Sequence, residues 1–495
     1  MKLNAKPKFI YPNEIAHKEG RFAVIDIGSS TIRLVVYDTG IYPHLFLNHK
    51  VRTMLAKGKG SGVFNLEAAP MERTLSAIEW FLWVCKQSAV TTVVATATSA
   101  VREAENGDEF VKMVQEKTGL HIEVIGGEVE ARLSALGGVT SLPNASGVVM
   151  DLGGGSLDIC TTERQGDFAS LPLGGLSLQK LSDNDPFKAV EILKKALSDV
   201  NWMANKNNFR DLVALGSGMR SIASLHMIET GYPMHILHDY SISKDAAIAY
   251  CAQFLRGEIS EKVSHLAKGY EDIIPYRAAA LTAMLEVGDF DRVRFASFGI
   301  REGIFFSQIE NEGVGEDPLL SFAKDLAIRD GRGAEYAFCL AHWAHEILPT
   351  MPPRLLQVAA LFADVAWREQ YAYRASSAFE IVYGGSFVSC SHKDRAKLAL
   401  IAYFTHADEL EDCHFSRIKG LVSDTDMAKA KIVGALFHLA AFLDPGAKGM
   451  LSDFTLQKQS GGCFSLEGPA PFMRMESESV AKRLEILNKT LASQR

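Results

Sequence analysis

The chain has 495 residues, enough for roughly three domains of about 150 residues each. Its 47% hydrophobic and 22% charged content is that of a soluble globular protein, and a net charge of −7 lacks the basic excess of a general nucleic-acid binder. Its 7 cysteines, odd in number and never in a CxxC, read as reduced thiols of a cytoplasmic protein, with neither a disulfide framework nor a zinc site. No signal-like apolar stretch opens the chain, and no run of about 18 apolar residues suggests a membrane span.

Residues 22–38 read as a hairpin, and a further strand includes residues 45–48. Lys57-Gly58-Lys59-Gly60-Ser61-Gly62 is a glycine-rich loop. Pro70 then opens a helix whose apolar face is Leu75, Ile78, Phe81, Leu82 and Cys85. A buried strand at 91–96, a helix at 108–118 and a strand at 122–125 follow. The next helix starts at Glu128 and is expected to stop at Gly137-Gly138. From Gly147 the pattern begins again: strand, loop and strand, helices around 186–200, a strand at 212–214, and a second glycine loop, Gly216-Ser217-Gly218. This second unit closes around residues 294–306. Residues 310–318 are polar and read as a linker, 319–443 as an all-α region, and 453–495 as short alternating runs around Gly461-Gly462 ending in an amphipathic helix at 477–491. The expected domains are 1–142 and 143–312, both α/β, a helical domain at 313–450, and a small α+β appendage at 451–495.

The feature that carries chemistry is a duplication. Val24-Ile25-Asp26-Ile27-Gly28-Ser29-Ser30-Thr31 and Val149-Met150-Asp151-Leu152-Gly153-Gly154-Gly155-Ser156 are each an apolar strand ending in Asp, followed by a turn of small residues and a second strand. Glycine allows backbone amides to approach an anion closely, and the hydroxyls add donors. The Asp at each strand end can hold a cation. Two such loops facing one another across a cleft, at the carboxyl ends of strands, make a phosphate clamp with a metal at its centre. A single Asp-x-Gly turn is ordinary hairpin chemistry. Two in the same order, each followed by a helical segment, are not.

Two segments lie between the copies. Thr96-Ala97-Thr98-Ser99-Ala100-Val101-Arg102 leads a hydroxyl cluster to one arginine, which reads either as a phosphate partner or as a capped helix with a surface arginine. Gly126-Gly127-Glu128-Val129-Glu130-Ala131-Arg132-Leu133 opens a helix with acids, which serve either catalysis or the helix dipole.

Taken with Gly216-Ser217-Gly218 and Arg301-Glu302-Gly303, these motifs resemble the exopolyphosphatase and guanosine pentaphosphate phosphatase family, part of the phosphotransfer superfamily of actin, hexokinase and acetate kinase. The resemblance covers residues 21–306 strongly and the helical region weakly. Residues 220–227 and the helical tail look most like alphaproteobacterial exopolyphosphatases. The resemblance implies two ribonuclease H-like (actin-like) α/β domains around a cleft and hydrolysis of the terminal phosphate of inorganic polyphosphate. It implies Glu130 as general base, Arg102 as a forked positive partner, and Mg²⁺ at Asp26, Asp151 and Asp158. Gly28, Ser29, Ser30, Thr31, Gly153, Gly154, Gly155, Ser156, Gly216, Ser217 and Gly218 would bind phosphate oxygens.

The chain departs from the family pattern in several places. Asp158 stands where Glu is usual, Val129 where an acid precedes the base, Gly216-Ser217-Gly218 where the loop usually contains Thr, and Ser177 in place of an arginine near Gly174. These bear on rate, metal dependence and substrate preference. The helical region resembles an HD-type domain through residues 359–365, but Ala363 replaces the histidine of an HD metal site, and His392 and His406 are isolated, so no second hydrolase centre is expected. This region either extends a groove for a long chain, with Lys57, Lys59, Lys180 and Arg220 as groove candidates, or builds a homodimer interface. The readings left open are a guanosine pentaphosphate phosphohydrolase, a non-catalytic sensor of polyphosphate or guanosine tetraphosphate, and, from fold alone, a sugar kinase. None of them calls for nucleic acid or a membrane.

Overall fold

The computed structural model describes residues 20–492 apart from 39–43, 57–63, 164–165, 205–208, 311–316, 330, 332, 334, 447–448, 461 and 476. Lys57 and Lys59 and most of the expected linker therefore lie outside the described residues. The chain divides after residue 315 into two compact units.

The first unit holds two sheets of the same plan. In one, β1 (Arg21–Ile27), β2 (Thr31–Asp38), β3 (His44–Arg52), β4 (Thr92–Ala97) and β5 (Ile122–Val124) lie in the order β3-β2-β1-β4-β5. In the other, β6 (Gly147–Leu152), β7 (Leu157–Thr161), β8 (Phe168–Leu171), β9 (Asp211–Leu215), β10 (Tyr240–Ser243) and β11 (Arg292–Phe295) lie in the order β8-β7-β6-β9-β11-β10. Each sheet begins as an antiparallel meander and continues into parallel strands on the far side of its first strand, the second sheet ending in β10, antiparallel to β11. The central strands are continuous apolar runs ahead of Asp26 and Asp151 because both faces are covered. In β1, Ala23, Val24 and Ile25 are fully buried; in β6, Val148 and Met150 are. The duplication extends to register: Asp26 pairs with Arg33 and Asp151 with Asp158, each seven positions on.

Two helices join the sheets, Gly127–Ser141 and Ile300–Glu310, and here the structure departs from the sequence expectation. The first does not stop at Gly137-Gly138 but runs to Ser141. A Cβ at Gly137 would lie 2.1 Å from the Gly299 carbonyl oxygen, and one at Gly303 would lie 1.8 Å from that of Leu133. These glycines let two helix backbones touch; they do not end a helix. Gly127–Ser141 packs against β6, β7 and β8 of the second sheet. Ile300–Glu310 returns to the first sheet, where Phe305 packs on Phe22 and Tyr37 with ring centroids 5.5 and 5.1 Å away, and Glu302 accepts a hydrogen bond from the Tyr37 hydroxyl at 2.8 Å. The expected loop Gly216-Ser217-Gly218 is instead the first turn of a helix, Gly216–Glu229.

The second unit is helical from Pro318–Arg329 to Asp424–Leu443, followed by a hairpin of β12 (Thr455–Lys458) and β13 (Phe464–Glu467) and the helix Glu478–Ala492, which packs on Asp424–Leu443. Ala363, at the position of the HD histidine, is buried. Among the described residues His392 and His406 join no cluster of three metal-ligating side chains. No helix among them is long and apolar enough to cross a membrane.

Candidate active site

Both glycine-hydroxyl turns close with the same hydrogen bond: the Gly28 amide donates to the Thr31 carbonyl at 3.0 Å, and the Gly153 amide to the Ser156 carbonyl at 2.9 Å. Their carbonyls are tied backwards. Ser30 accepts from Thr53 and Met54 and Ser29 from Ala56, while Gly153 and Gly154 accept from Gly175 and Leu176. Tying the carbonyls back turns the amides outward, and those of Ser29, Ser30, Gly154, Gly155 and Ser156 donate to no acceptor among the described residues. Gly153, Gly154 and Gly155 are exposed. Such a row of outward amides is suited to an anion.

The second turn depends on residues that sequence reasoning did not single out for it. A Cβ at Gly174 would lie 2.5 Å from backbone atoms of Gly154, Gly155 and Ser156, so only glycine allows this approach. Ser177, where an arginine is usual, donates to the Gly155 carbonyl at 3.2 Å and braces the turn. Gly216, at φ +91°, takes a conformation suited to glycine, and a Cβ there would lie 2.9 Å from Asp151 Oδ1. Ser217 is exposed beside it, and Gly218 makes room for the stem of Arg277.

Around these turns the structure gathers Glu130, Arg102, Asp151 and Asp158. Arg102 is anchored by donating to the Ile125 carbonyl at 2.7 Å and reaches Glu130 Oε2 at 3.3 Å. Burial pushes the Glu130 carboxyl up to about 7; Arg102 opposes this, and the charges of Asp158 and Asp151 add to it. Burial also raises Asp151, with a hydrogen bond from Ser134 and the charges of Arg220 and Arg301 opposing and Asp158 adding. Asp158 is raised by burial, against hydrogen bonds from Ser170 and Ser156 and the charge of Arg102. Ser170, its cross-strand neighbour on β8, donates to Oδ1 at 2.5 Å, and Ser156 donates to Oδ2 at 2.9 Å. Both oxygens of the shorter acid are thus fixed. Val129 faces solvent, so the missing acid there takes nothing from this cluster.

Asp26 stands in different company. Arg301 donates to its Oδ2 at 3.0 Å, with both side chains mostly buried. Burial lowers Arg33, and the nearby Arg301 and Arg220 lower it further while Asp26 raises it. Burial and Arg301 lower Arg220. Asp26 is therefore charge-balanced by a direct ion pair with arginine, whereas Glu130, Asp151 and Asp158 stay raised despite Arg102, Arg220 and Arg301, burial and mutual repulsion outweighing that cationic charge. Among the described residues Asp26, Asp151 and Asp158 do not form a preassembled three-ligand cluster. Mg²⁺ keeps several waters and uses one or two carboxylates plus substrate phosphates, so Asp151 with Asp158 fits it, and Asp26 in its ion pair fits it less. Lys180 is exposed, whereas Arg220 is half-buried on the helix that opens at Gly216.

Residues 34–312 match the profile of the Ppx/GppA phosphatase family, and residues 319–495 that of the exopolyphosphatase C-terminal region. Retrograde regulation protein 2 of Saccharomyces cerevisiae is 24% identical over 492 residues, covering 88% of this chain and 83% of that protein. Exopolyphosphatase 1 of Mycobacterium tuberculosis is 25% identical over 339 residues, covering 62% of this chain and 94% of its own. Among solved structures, the Ppx/GppA family member of Aquifex aeolicus superposes with a TM-score of 0.53 at 25% identity, over 60% of this chain and 99% of that one.

Proposed function

The chain belongs to the Ppx/GppA phosphatase family, and from that premise we propose that it is a cytoplasmic exopolyphosphatase that removes orthophosphate from the end of inorganic polyphosphate. The observation that carries this is the half-buried Glu130 carboxyl, 27% exposed, raised to about 7 and held by Arg102 next to a turn of outward amides. A general base works best with a pKa near the working pH.

The terminal phosphoryl group sits on the amides of Gly154, Gly155 and Ser156 from one side and of Ser29 and Ser30 from the other. Arg102 donates its forked guanidinium to the equatorial oxygens. Glu130 accepts a proton from the attacking water as its oxygen bonds to phosphorus. The bridging P–O bond opposite breaks, leaving orthophosphate and a chain one unit shorter. Asp151 and Asp158 would hold Mg²⁺, which when bound supplies charge neutralisation at the phosphates. Positioning and charge account for most of the acceleration, as phosphoryl transfer asks little covalent chemistry of a protein.

Orthophosphate release from long-chain polyphosphate and from guanosine pentaphosphate, with wild type and Glu130→Ala, tests the reading. Release from polyphosphate that falls by about 10²- to 10⁴-fold in the variant, with affinity kept, supports it. Release confined to guanosine pentaphosphate moves the assignment to the nucleotide phosphohydrolase. Tight binding without release from either substrate makes the protein a sensor, a reading favoured by its near full-length similarity to a relative named for regulation.

A further inference from the structure

The helical unit contains a group of side chains that the reaction does not use. Glu411, Cys413 and His414 bring one ligand atom each within 4.8 Å of the others, the sole such trio among the described residues. We propose that Glu411, Cys413 and His414 form a zinc site at the start of the helix Asp412–Ile418.

The distances favour a tetrahedral ion. Ligand atoms about 2.0–2.3 Å from zinc lie roughly 3.3–3.8 Å from one another at tetrahedral angles. His414 Nε2 lies 3.8 Å from Glu411 Oε2, and Cys413 Sγ lies 3.6 Å from the same oxygen. The donor set of one thiolate, one imidazole and one carboxylate suits borderline Zn²⁺ and not the hard Mg²⁺ expected in the cleft. The sequence expectation of no zinc site rested on the lack of a CxxC pair; this site uses a single cysteine.

The surroundings of His414 provide the second observation. Its ring is 7% exposed, wedged against Phe379 and Tyr403, and its Nδ1 is buried without a hydrogen-bond partner. The nearest acid to Nδ1 is Glu380 on Arg374–Gly384, with Oε1 at 4.0 Å, and Arg417 pairs with that same carboxylate. Zinc on Nε2 would fix the proton on Nδ1, which faces Glu380 Oε1 across 4.0 Å, a gap that a small side-chain shift would close to a hydrogen bond. This is the outer-shell arrangement that metal-binding histidines typically use. Ser376 Oγ is hydrogen-bonded to Nε2 at 3.1 Å, a contact the ion would replace, with water completing its tetrahedron. Cys413 and Glu411 are exposed, so the ion has an entry path. Binding replaces the thiol proton, so affinity rises with pH.

The test uses the full-length protein, reduced and stripped with chelator, then titrated with Co²⁺ as a spectroscopic stand-in and with Zn²⁺. The expected result is a thiolate-to-cobalt charge-transfer band saturating at one equivalent and displaced by Zn²⁺. It should be lost in Cys413→Ser and kept in Cys463→Ser, which removes the other exposed cysteine. Glu380→Gln should weaken Co²⁺ binding about 10- to 100-fold through the outer shell. Absence of the band at one equivalent, or its persistence in Cys413→Ser, would overturn the site. Orthophosphate release without added Zn²⁺ should be unchanged in Cys413→Ser, which separates this outcome from failure of the catalytic reading.

Discussion

Burial gives Glu130 its basicity, and the same burial makes its charged form costly to fold. Its carboxyl sits at about 7 in the folded chain against an ordinary 4.5. Folding therefore favours the protonated form, and that contribution is full below the unfolded value and lost as pH rises through about 7. Two outcomes follow. The rate of orthophosphate release should climb about tenfold per pH unit below 7 and level off above it, and Glu130→Gln should lose that limb together with most of the activity. In urea unfolding at pH 8, Glu130→Gln should be more stable than wild type by roughly 1–3 kcal/mol, a gap that narrows at pH 5. A variant less stable at pH 8 would contradict the desolvation argument. Arg294 illustrates the opposite case. It is 4% exposed and bonds Asp239 at 2.6 and 2.8 Å and Asp211 at 3.0 Å, while Arg292 holds the other oxygen of Asp211 at 2.7 Å. Arg294→Met strands a buried carboxylate and should cost about 3–5 kcal/mol, read as a lowered denaturation midpoint.

Among elements, the turns were readable and the helix contacts were not, for one physical reason. The turn signal is local: Asp, small residues and resumed alternation lie within eight positions, and Gly28 and Gly153 close them with the same amide-to-carbonyl bond. Gly137-Gly138 gave the local signal of a helix end, but the feature that uses Gly137 is the Gly299 carbonyl, far along the chain. Gly216 likewise read as a loop, whereas its positive φ and the nearness of Asp151 show a helix starting against a carboxylate. The Arg301 bond to Asp26 spans 275 positions, so the sequence could offer both residues as motifs but not as partners. The helix crossing is correspondingly sensitive. Gly303→Ala drives a methyl group into the Leu133 carbonyl and should lower stability by about 1–3 kcal/mol in thermal or denaturant unfolding. It should also reduce phosphate release beyond any loss of folded protein, because Gly127–Ser141 carries Glu130 near its start.

For the whole molecule, the division after residue 315 separates the chemistry from the helical unit. All residues assigned here to phosphate, water and Mg²⁺ lie before it, and both sheets have their own cores within it. Exopolyphosphatase 1 of Mycobacterium tuberculosis aligns with 62% of this chain over 94% of its own length, so a relative of that name has little beyond the corresponding portion. A protein ending at residue 315 should therefore fold and release orthophosphate from short polyphosphate at a rate within a few-fold of the full chain. The helical unit should matter for length. If it extends the binding groove, truncation will raise KM for long polyphosphate and change the product pattern from complete digestion of a few chains to gradual shortening of all, as read on a gel. With a net charge of −7 over the whole chain, attraction for a polyanion has to come from local arginine such as Arg33, Arg102, Arg220 and Arg301. KM for long chains should rise with ionic strength in both proteins, and more steeply in the full chain if its second unit also binds the substrate. Equal salt slopes and equal product patterns would leave the helical unit with no part in substrate binding.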